Sequence, residues 1–264
     1  MNALVGLNMN LDSGLLARVE DAGLNASAPP QQRWLDGWLL RFSPGKAKRA
    51  RCVNAVALGR RPTEQKLAQS AEIFAAASLP LIIRITPFTL PDSLDAQLAA
   101  QGLIRFDDTR VMVLNKLEAV ACPVLDGEYR VRELALETFA QRVGALRGSP
   151  LAQRQAHAQR LANAPVPFTA FELRKHEEVV ACGQFAQEGD LVGLYDVFTA
   201  PHARCRGMAR LLCQHLLLMA RNRGATLAYL QVESDNLAAR AVYFRLGFVD
   251  AYSYHYRTRD PLIA

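Results

Sequence analysis

An arginine-rich turn in the second half of the chain separates an apolar segment from a long helical pattern. It reads Arg204-x-x-Gly207-x-Ala209, with Arg206 and Arg210 adding positive charge. The first turn of a helix leaves several backbone N–H groups unpaired and carries the positive end of the helix dipole, so an anion placed there is stabilised. Small residues at positions 207 and 209 would let that anion approach the backbone. The turn therefore predicts a phosphate-binding loop, but taken alone it fits an ordinary helix start equally well.

A second group of residues follows as Asn236-x-x-Ala239-x-x-x-Tyr243-x-x-Leu246. On a helix, spacings of three, four and three place all four side chains on one face. Tyr243 could donate a proton to a leaving group, or it could be a core aromatic residue whose hydroxyl is satisfied. The pattern leaves both interpretations open.

Two carboxylates, Asp196 and Glu233, stand near the ends of predicted strands within apolar runs. A charged side chain in such a run needs a reason to be there. Each is a candidate general base or amine-orienting group, and each could instead be a solvated charge or a hydrogen-bonded cap at its strand end.

A mixed arrangement of strands and helices is needed to bring these residues together. Period-two and helical patterns alternate through the second half of the chain. The predicted strands are Tyr129–Leu134, Phe168–Leu173, Val179–Ala186, Leu191–Thr199, Leu227–Val232 and Ala251–Arg257, and the predicted helices are Glu137–Arg147, Leu151–Ala162, Arg206–Asn222 and Leu237–Leu246.

These motifs, in this order and at this separation, resemble the GNAT superfamily of N-acetyltransferases from about Glu128 to Arg257. The resemblance implies that acetyl-CoA is the co-substrate and that its pyrophosphate meets the arginine-rich turn. It also implies that the preceding strand offers backbone groups to the pantetheine arm and the thioester. The cofactor-binding residues implied in this way are Val197, Phe198, Thr199, Arg204, Cys205, Arg206, Gly207, Met208, Ala209, Arg210, Asn236 and Tyr243.

The activity that the resemblance implies is acetyl transfer to a primary amine by direct attack in a ternary complex. Tyr243 would protonate the departing thiolate, for which an unperturbed phenol pKa of about 10 is a reasonable match. A backbone N–H near Phe198 would face the developing oxyanion. Asp196 and Glu233 stay candidates for the base, and the acceptor is a small-molecule amine or a protein amino group.

The first half of the chain repeats the element order of the second half in weaker form. Its predicted helices are Glu64–Ala77 and Ser93–Ala100, and its last two predicted strands are Leu81–Thr86 and Arg110–Leu114. The repeat favours an internal duplication, although such an order is also common by chance. In place of the arginine-rich turn, residues 58–62 read Leu-Gly-Arg-Arg-Pro and lack the RxxGxA pattern.

We therefore predict an α/β (α+β) fold with two GNAT-like domains, each a mixed, mostly antiparallel sheet flanked by helices. Residues 1–122 would form a degenerate domain without a cofactor loop, and residues 126–264 would form the catalytic domain. The linker is predicted at Glu118–Gly127, which contains Pro123.

The net charge of +6 suits nucleic acid and a polyphosphate cofactor equally well. The basic run Lys46, Lys48, Arg49 and Arg51 follows a predicted turn at residues 43–45 and has no interleaved aromatic residues for base stacking. We interpret the run as the solvated end of a hairpin and expect no nucleic-acid partner.

Neither the five cysteines nor the five histidines have metal-ligand spacing, so we expect free thiols and no bound metal. No apolar run reaches the roughly 18 residues of a membrane span. Because Asn8, Asn10 and Asp12 break the first apolar run, we expect no signal peptide. We expect a cytoplasmic protein without a membrane partner. The alternative function is a non-catalytic acyl-CoA-binding sensor or regulatory module, which would keep the arginine-rich turn but need no acid at Tyr243.

Overall fold

The structure is a computed structural model that describes residues 11–43 and 47–262. These residues form seven α-helices and eleven β-strands. The helices are α1 (Ser13–Ala26), α2 (Thr63–Ala76), α3 (Leu94–Ala100), α4 (Leu136–Leu146), α5 (Leu151–Ala162), α6 (Met208–Asn222) and α7 (Leu237–Arg245). The strands are β1 (Gln31–Leu35), β2 (Trp38–Phe42), β3 (Val53–Ala55), β4 (Ile83–Ile85), β5 (Ile104–Leu114), β6 (Tyr129–Leu134), β7 (Phe168–Lys175), β8 (Glu178–Glu188), β9 (Leu191–Thr199), β10 (Leu227–Glu233) and β11 (Val249–Thr258).

All eleven strands of the described residues lie in one sheet, in the order β1-β2-β3-β4-β11-β5-β10-β9-β8-β7-β6. Neighbouring strands are antiparallel except for the pairs β3–β4 and β9–β10, which are parallel. The predicted mixed, mostly antiparallel α/β fold is confirmed. One parallel pair falls in each half of the chain, as an internal duplication would require.

The two halves of the chain interleave at the centre of the sheet. β11, from the second half, lies between β4 and β5 of the first half. β5 in turn lies between β11 and β10. The division into domains at 1–122 and 126–264 stays a prediction, because strands from both sides of the division belong to one continuous sheet.

Most elements of the second half begin and end within two residues of their predicted bounds, because their signals are local. β6, β9 and α5 have the predicted bounds. α6 begins at Met208, since Gly207 is its N-cap with φ of 79°. In the first half, β5 begins six residues before the predicted Arg110. α1 was not predicted; the Asp12 carboxylate caps it by accepting a hydrogen bond from the Leu15 amide at 2.8 Å.

The segment between β5 and β6 crosses the outer side of α6. Gln214 Nε2 donates to the Ala121 carbonyl at 3.4 Å, and Arg221 Nη1 donates to the Glu118 carbonyl at 3.3 Å. The first part of the predicted linker is therefore tied to α6 at Glu118 and Ala121. Within residues 11–43 and 47–262, no helix is both long and apolar enough to cross a membrane.

Candidate active site

The parallel strands β9 and β10 separate towards their carboxyl ends. Their pairing runs from Leu191↔Leu227 to Leu194↔Leu230 and then stops. Beyond that point β9 stays paired with β8, and β10 stays paired with β5. A cleft of about 350 Å³ opens between the two strands. The carboxyl ends of parallel strands are the usual ligand-binding edge of an α/β sheet, so this cleft is the candidate active site.

A β-bulge in β9 shapes one side of the cleft. The register with β8 shifts between the pairs Cys182↔Phe198 and Gln184↔Tyr195. Asp196 lies inside this shift with a left-handed φ of 51°. A bulge leaves its extra residue outside the ladder and re-aims the neighbouring side chains, which is common beside active sites.

The sequence-predicted site residues fall into three places. Those that line the cleft are Asp196, Val197, Glu233, Asn236 and Tyr243. The arginine-rich turn lies outside it and lines a second cavity of about 470 Å³ with Arg206, Gly207, Met208 and Arg210. Phe198 and Thr199 lie between the two cavities, where Arg204 Nε donates to the Thr199 carbonyl at 3.4 Å and its guanidinium lies 5.6 Å from the Phe198 ring centre.

The arginine-rich turn is open above its backbone. Cys205 and Gly207 have left-handed φ angles of 59° and 79°. A Cβ atom on Gly207 would meet no atom within 4 Å. The amides of residues 205–210 donate hydrogen bonds to no described residue. Such a run of unpaired amides at a helix N-terminus forms a concave anion-binding surface, so these residues fit the phosphates of acetyl-CoA.

Helix α7 carries the other two predicted cofactor-side residues. Asn236 is the N-cap, and its Oδ1 accepts a hydrogen bond from the Ala239 amide at 3.1 Å. Tyr243 is buried, and its ring meets Phe248 edge to face with 6.0 Å between ring centres. Burial raises the pKa of Tyr243 well above its ordinary value. No described residue hydrogen-bonds its hydroxyl, so the phenol proton is retained at neutral pH and free to be donated into the cleft.

Asp196 is held by three side chains from neighbouring elements. Its carboxylate accepts hydrogen bonds from Arg147 Nη1 at 2.9 Å and Gln184 Nε2 at 2.7 Å, and His157 Nε2 lies 3.2 Å from Oδ2. Burial acts to raise the pKa of Asp196, but contact with His157 and the positive charges of Arg147 and Arg160 outweigh it and hold the pKa well below its ordinary value. A carboxylate in this state is an orienting group and a weak base.

Glu233 differs from Asp196 in being exposed at the mouth of the cleft. It ends β10 and lies two residues after Gln231, on the same face of the strand. The Gln231 side chain faces α1, because a Cβ on Gly23 would lie 2.7 Å from its Nε2. Glu233 therefore points to the α1 side of the sheet, whereas Tyr243 packs with the core on the α7 side.

The cleft thus has two walls, one on each face of the sheet. Val197, Ala239 and Tyr243 form what we call the α7 wall. The α1 wall consists of Lys48, Arg49, Asp107, Asp196, Gln231, Glu233 and Tyr254. Three of these residues come from the first half of the chain, so both halves build the site.

The basic run lies in the connection between the antiparallel strands β2 and β3, as the hairpin interpretation expects, but Lys48 and Arg49 are not solvated and contribute to the α1 wall. Pro44 and Gly45 of the predicted turn, and Lys46 of the basic run, lie outside the described residues. Lys48 and Arg49 are partly buried and line the cleft. Arg49 Nη1 donates to Gln231 Oε1 at 2.7 Å and to the Tyr254 hydroxyl at 3.2 Å. These partners lie 182 and 205 residues away in sequence, beyond any local pattern.

The equivalent places in the first half are filled by the protein itself. The Leu90 amide donates to the Ala55 carbonyl at 2.9 Å, so the segment after β4 lies across the end of β3. Before α2, where the second half has its arginine-rich turn, the Asp36 carboxylate accepts from the amides of Arg60 at 3.0 Å and Arg61 at 2.8 Å. These hydrogen bonds lower the pKa of Asp36. The amides of Arg60 and Arg61 before α2 are therefore paired within the protein, unlike the amides of the arginine-rich turn.

Within the described part of the chain, no group of three or more His, Cys, Asp or Glu side chains is placed to hold a metal ion.

Comparison with known proteins identifies the family to which this chain is similar. Residues 16–257 match the family described as "Probable histone acetyltransferase Rv0428c C-terminal". The uncharacterized N-acetyltransferase YobR of Bacillus subtilis (strain 168) is 25% identical over 235 residues, which cover 86% of this chain and 92% of that protein.

Two solved structures share the fold. A GCN5-related N-acetyltransferase from Kribbella flavida has a TM-score of 0.72 at 19% identity, with 95% of this chain and 97% of that chain covered. A tandem GNAT protein from the clavulanic acid biosynthesis pathway has a TM-score of 0.60 at 14% identity, with 76% and 72% covered.

The fold is shared with solved GNAT-type structures. Because its match spans both halves of the chain, the protein belongs to the family described as "Probable histone acetyltransferase Rv0428c C-terminal" and, with it, to the GNAT superfamily. The superfamily resemblance inferred from sequence is confirmed. The sequence motifs indicated this resemblance only from about Glu128 onward, whereas the family match begins at residue 16.

Proposed function

We propose that the protein transfers an acetyl group from acetyl-CoA to a primary amine by direct attack in a ternary complex. The observation that carries this proposal is the cleft between β9 and β10, which lies beside a loop of unpaired backbone amides. The loop suits the phosphates of the donor, and the cleft suits its thioester and the acceptor.

The donor side consists of the turn, the end of β9 and the α7 wall. The amides of residues 205–210 and the guanidinium groups of Arg204, Arg206 and Arg210 would hold the phosphates. Backbone groups of Val197, Phe198 and Thr199 and the side chain of Asn236 would hold the pantetheine arm. Acetyl-CoA, when bound, supplies the activated acetyl group.

Three side chains handle the acceptor and its protons. Glu233 is exposed in the cleft and takes a proton from the attacking amine. Asp196, held ionised by its three neighbours, orients the amine as a fixed hydrogen-bond acceptor. Tyr243 donates its retained proton to the departing thiolate as the new C–N bond forms and the C–S bond breaks.

The first half would act as structure and as part of the acceptor site. Its own cofactor positions are occupied by Leu90 and Asp36, which supports a degenerate GNAT-like domain at residues 1–122 beside a catalytic domain at 126–264. The cytoplasmic location inferred from the sequence stays a prediction.

The test combines binding with turnover on the intact chain. Calorimetry should give one acetyl-CoA site per chain, and release of CoA, followed by chromatography, should require an amine from a panel of amino acids, polyamines, aminoglycosides and peptides. Chromatography avoids thiol reagents, which would also react with the exposed Cys122 and Cys205. Tight acetyl-CoA binding without turnover on any amine would instead support the sensor function.

A further inference from the structure

The cleft is lined by three positive and three negative side chains, and four of these six side chains pair with each other. Lys48 Nζ lies 2.6 Å from Asp107 Oδ2, and Arg147 Nη1 lies 2.9 Å from Asp196 Oδ1. Each of these two pairs is neutral as a unit. The remaining two charges of the cleft belong to Arg49 and Glu233.

Arg49 and Glu233 form no ion pair with any described residue. Both recorded partners of the Arg49 guanidinium, Gln231 and Tyr254, are uncharged. Its Nε is buried and donates to no described residue. A partly buried guanidinium without an anion costs free energy, so a ligand that brings an anion to it is favoured.

The two unpaired charges lie a short distance apart on one face of β10. Arg49 is anchored on Gln231, and Glu233 follows Gln231 by two residues. Two residues along a strand span roughly 6.5 to 7 Å. A guanidinium beside Gln231 and a carboxylate two residues further along the same strand face complement a small molecule with a positive and a negative group of its own.

A smaller adjoining cavity of about 110 Å³ adds positive charge next to Arg49. It shares Ala47, Arg147 and Asp196 with the cleft, so the two spaces are continuous. It is also lined by Arg154 and Arg160, neither of which has an ion-pair partner among the described residues. The end of the acceptor site away from Glu233 is therefore cationic.

We infer that the acceptor is a primary amine that also bears an anionic group, a carboxylate or a phosphate. The amine lies towards Glu233, and the anionic group is bound by Arg49. This inference rests on the proposed acetyl transfer. A polyamine, an aminoglycoside or a lysine in a basic peptide would bring only positive charge to Arg49, Arg154 and Arg160 and is disfavoured.

The test compares amines that differ only in their anionic group. The probes are the common L-amino acids other than proline, which lacks a primary amine, against their carboxamides, O-phosphoethanolamine against ethanolamine, and a lysine-rich basic peptide. We call the amine that bears an anionic group the acidic amine, and its partner without that group the neutral match. We expect CoA release with an acidic amine and at least about ten-fold lower kcat/KM with its neutral match, which is the scale of one charge-assisted hydrogen bond. The two pairs of probes distinguish a carboxylate from a phosphate.

Variants of Arg49 locate the effect. Arg49→Gln should raise KM for the preferred acidic amine about ten-fold or more and leave KM for the neutral match unchanged, and Arg49→Lys should restore part of the loss. Arg33→Gln, an exposed arginine on β1, is the charge-matched control. Unfolding temperatures of all three variants exclude a folding defect.

Several results would overturn the inference while leaving acetyl transfer intact. The first is equal or higher turnover of the neutral matches than of the acidic amines. The second is a preference for the basic peptide, and the third is an Arg49→Gln variant that loses activity equally on acidic and neutral amines. Failure of every acidic amine with a protein that binds acetyl-CoA also counts against it. A protein that does not bind acetyl-CoA at all would instead refute the proposed function.

Discussion

A single glycine in the arginine-rich turn allows the donor site to be tested with an unusually close control. Gly207→Glu places a carboxylate above the unpaired amides of residues 205–210, where no protein atom lies within 4 Å of the new Cβ. The new Cβ therefore meets no atom beyond its chain neighbours. The change acts through backbone strain, because φ is 79°, and through the new side chain, which repels the phosphates and fills their space.

Gly102→Glu isolates the second effect from the first. Gly102 also has φ of 79° and open space around its Cβ, but it follows α3 in the first half, away from the turn. Left-handed backbone costs an ordinary residue roughly 1 to 2 kcal/mol, so both variants should lose similar stability. The difference between them in acetyl-CoA affinity then reports the effect of the new side chain at the turn, through its charge and through the space that it fills.

The repulsion can be bounded from Coulomb's law. Two unit charges 4 Å apart interact by about 1 kcal/mol in water and about 4 kcal/mol at the effective dielectric of a protein surface. We expect Gly207→Glu to weaken acetyl-CoA binding at least ten-fold by calorimetry, and less so at 1 M salt, where the Debye length falls to about 3 Å. Equal affinities in the Gly207→Glu and Gly102→Glu proteins would refute the placement of the phosphates on this turn.

Three further predictions concern the chemistry and the shared sheet. Tyr243→Phe should keep acetyl-CoA affinity within a few-fold and lower kcat by about ten-fold or more, because only the proton is lost; equal kcat would return Tyr243 to a packing role. Asp196→Asn should raise KM for the amine. Because the pKa of Asp196 is depressed, its stabilising effect is present above the unfolded value of 3.8 and is lost as the pH falls below it. The difference in free energy of unfolding between wild type and Asp196→Asn, measured in urea, should therefore stay constant above about pH 4 and disappear in stronger acid. A difference that disappears near pH 6 contradicts this. A fragment that begins near residue 126 lacks β5, the strand between β10 and β11, and should bind acetyl-CoA only weakly, be poorly soluble and show little turnover; a soluble, fully active fragment would show that the first half is a separate module.

Much of the second half could be predicted because its signals are local. β9 is bounded by Gly189 and Pro201, and the apolar stripe of α6 includes Leu212 and Leu216, both fully buried. The motif around Gly207 depends on a backbone conformation that short-range sequence encodes. Local signals therefore indicated the strands, the turn and the helix face that bears Tyr243.

The rest could not be predicted because it depends on contacts between distant residues. The position of β11 depends on pairing with Ile85 and Thr109, more than a hundred residues earlier, and no period within β11 specifies those partners. Arg49 was misinterpreted for the same reason. The cap of α1 by Asp12 was a local signal that the sequence did carry and that the interpretation missed.

The central position of β11 has a consequence for how the protein folds during synthesis. β4 and β5 precede β11 by well over a hundred residues, and neither is paired with the other in the finished sheet. At about 5 to 20 residues per second, the ribosome needs roughly 7 to 30 s to extend the chain from Leu114 to Thr258. Throughout that interval the edges of β4 and β5 lack the strand that joins them, and such edges invite pairing with other chains. The exposed edges of β4 and β5 therefore need protection, by the helices of the first half or by chaperones, until β11 pairs with both strands.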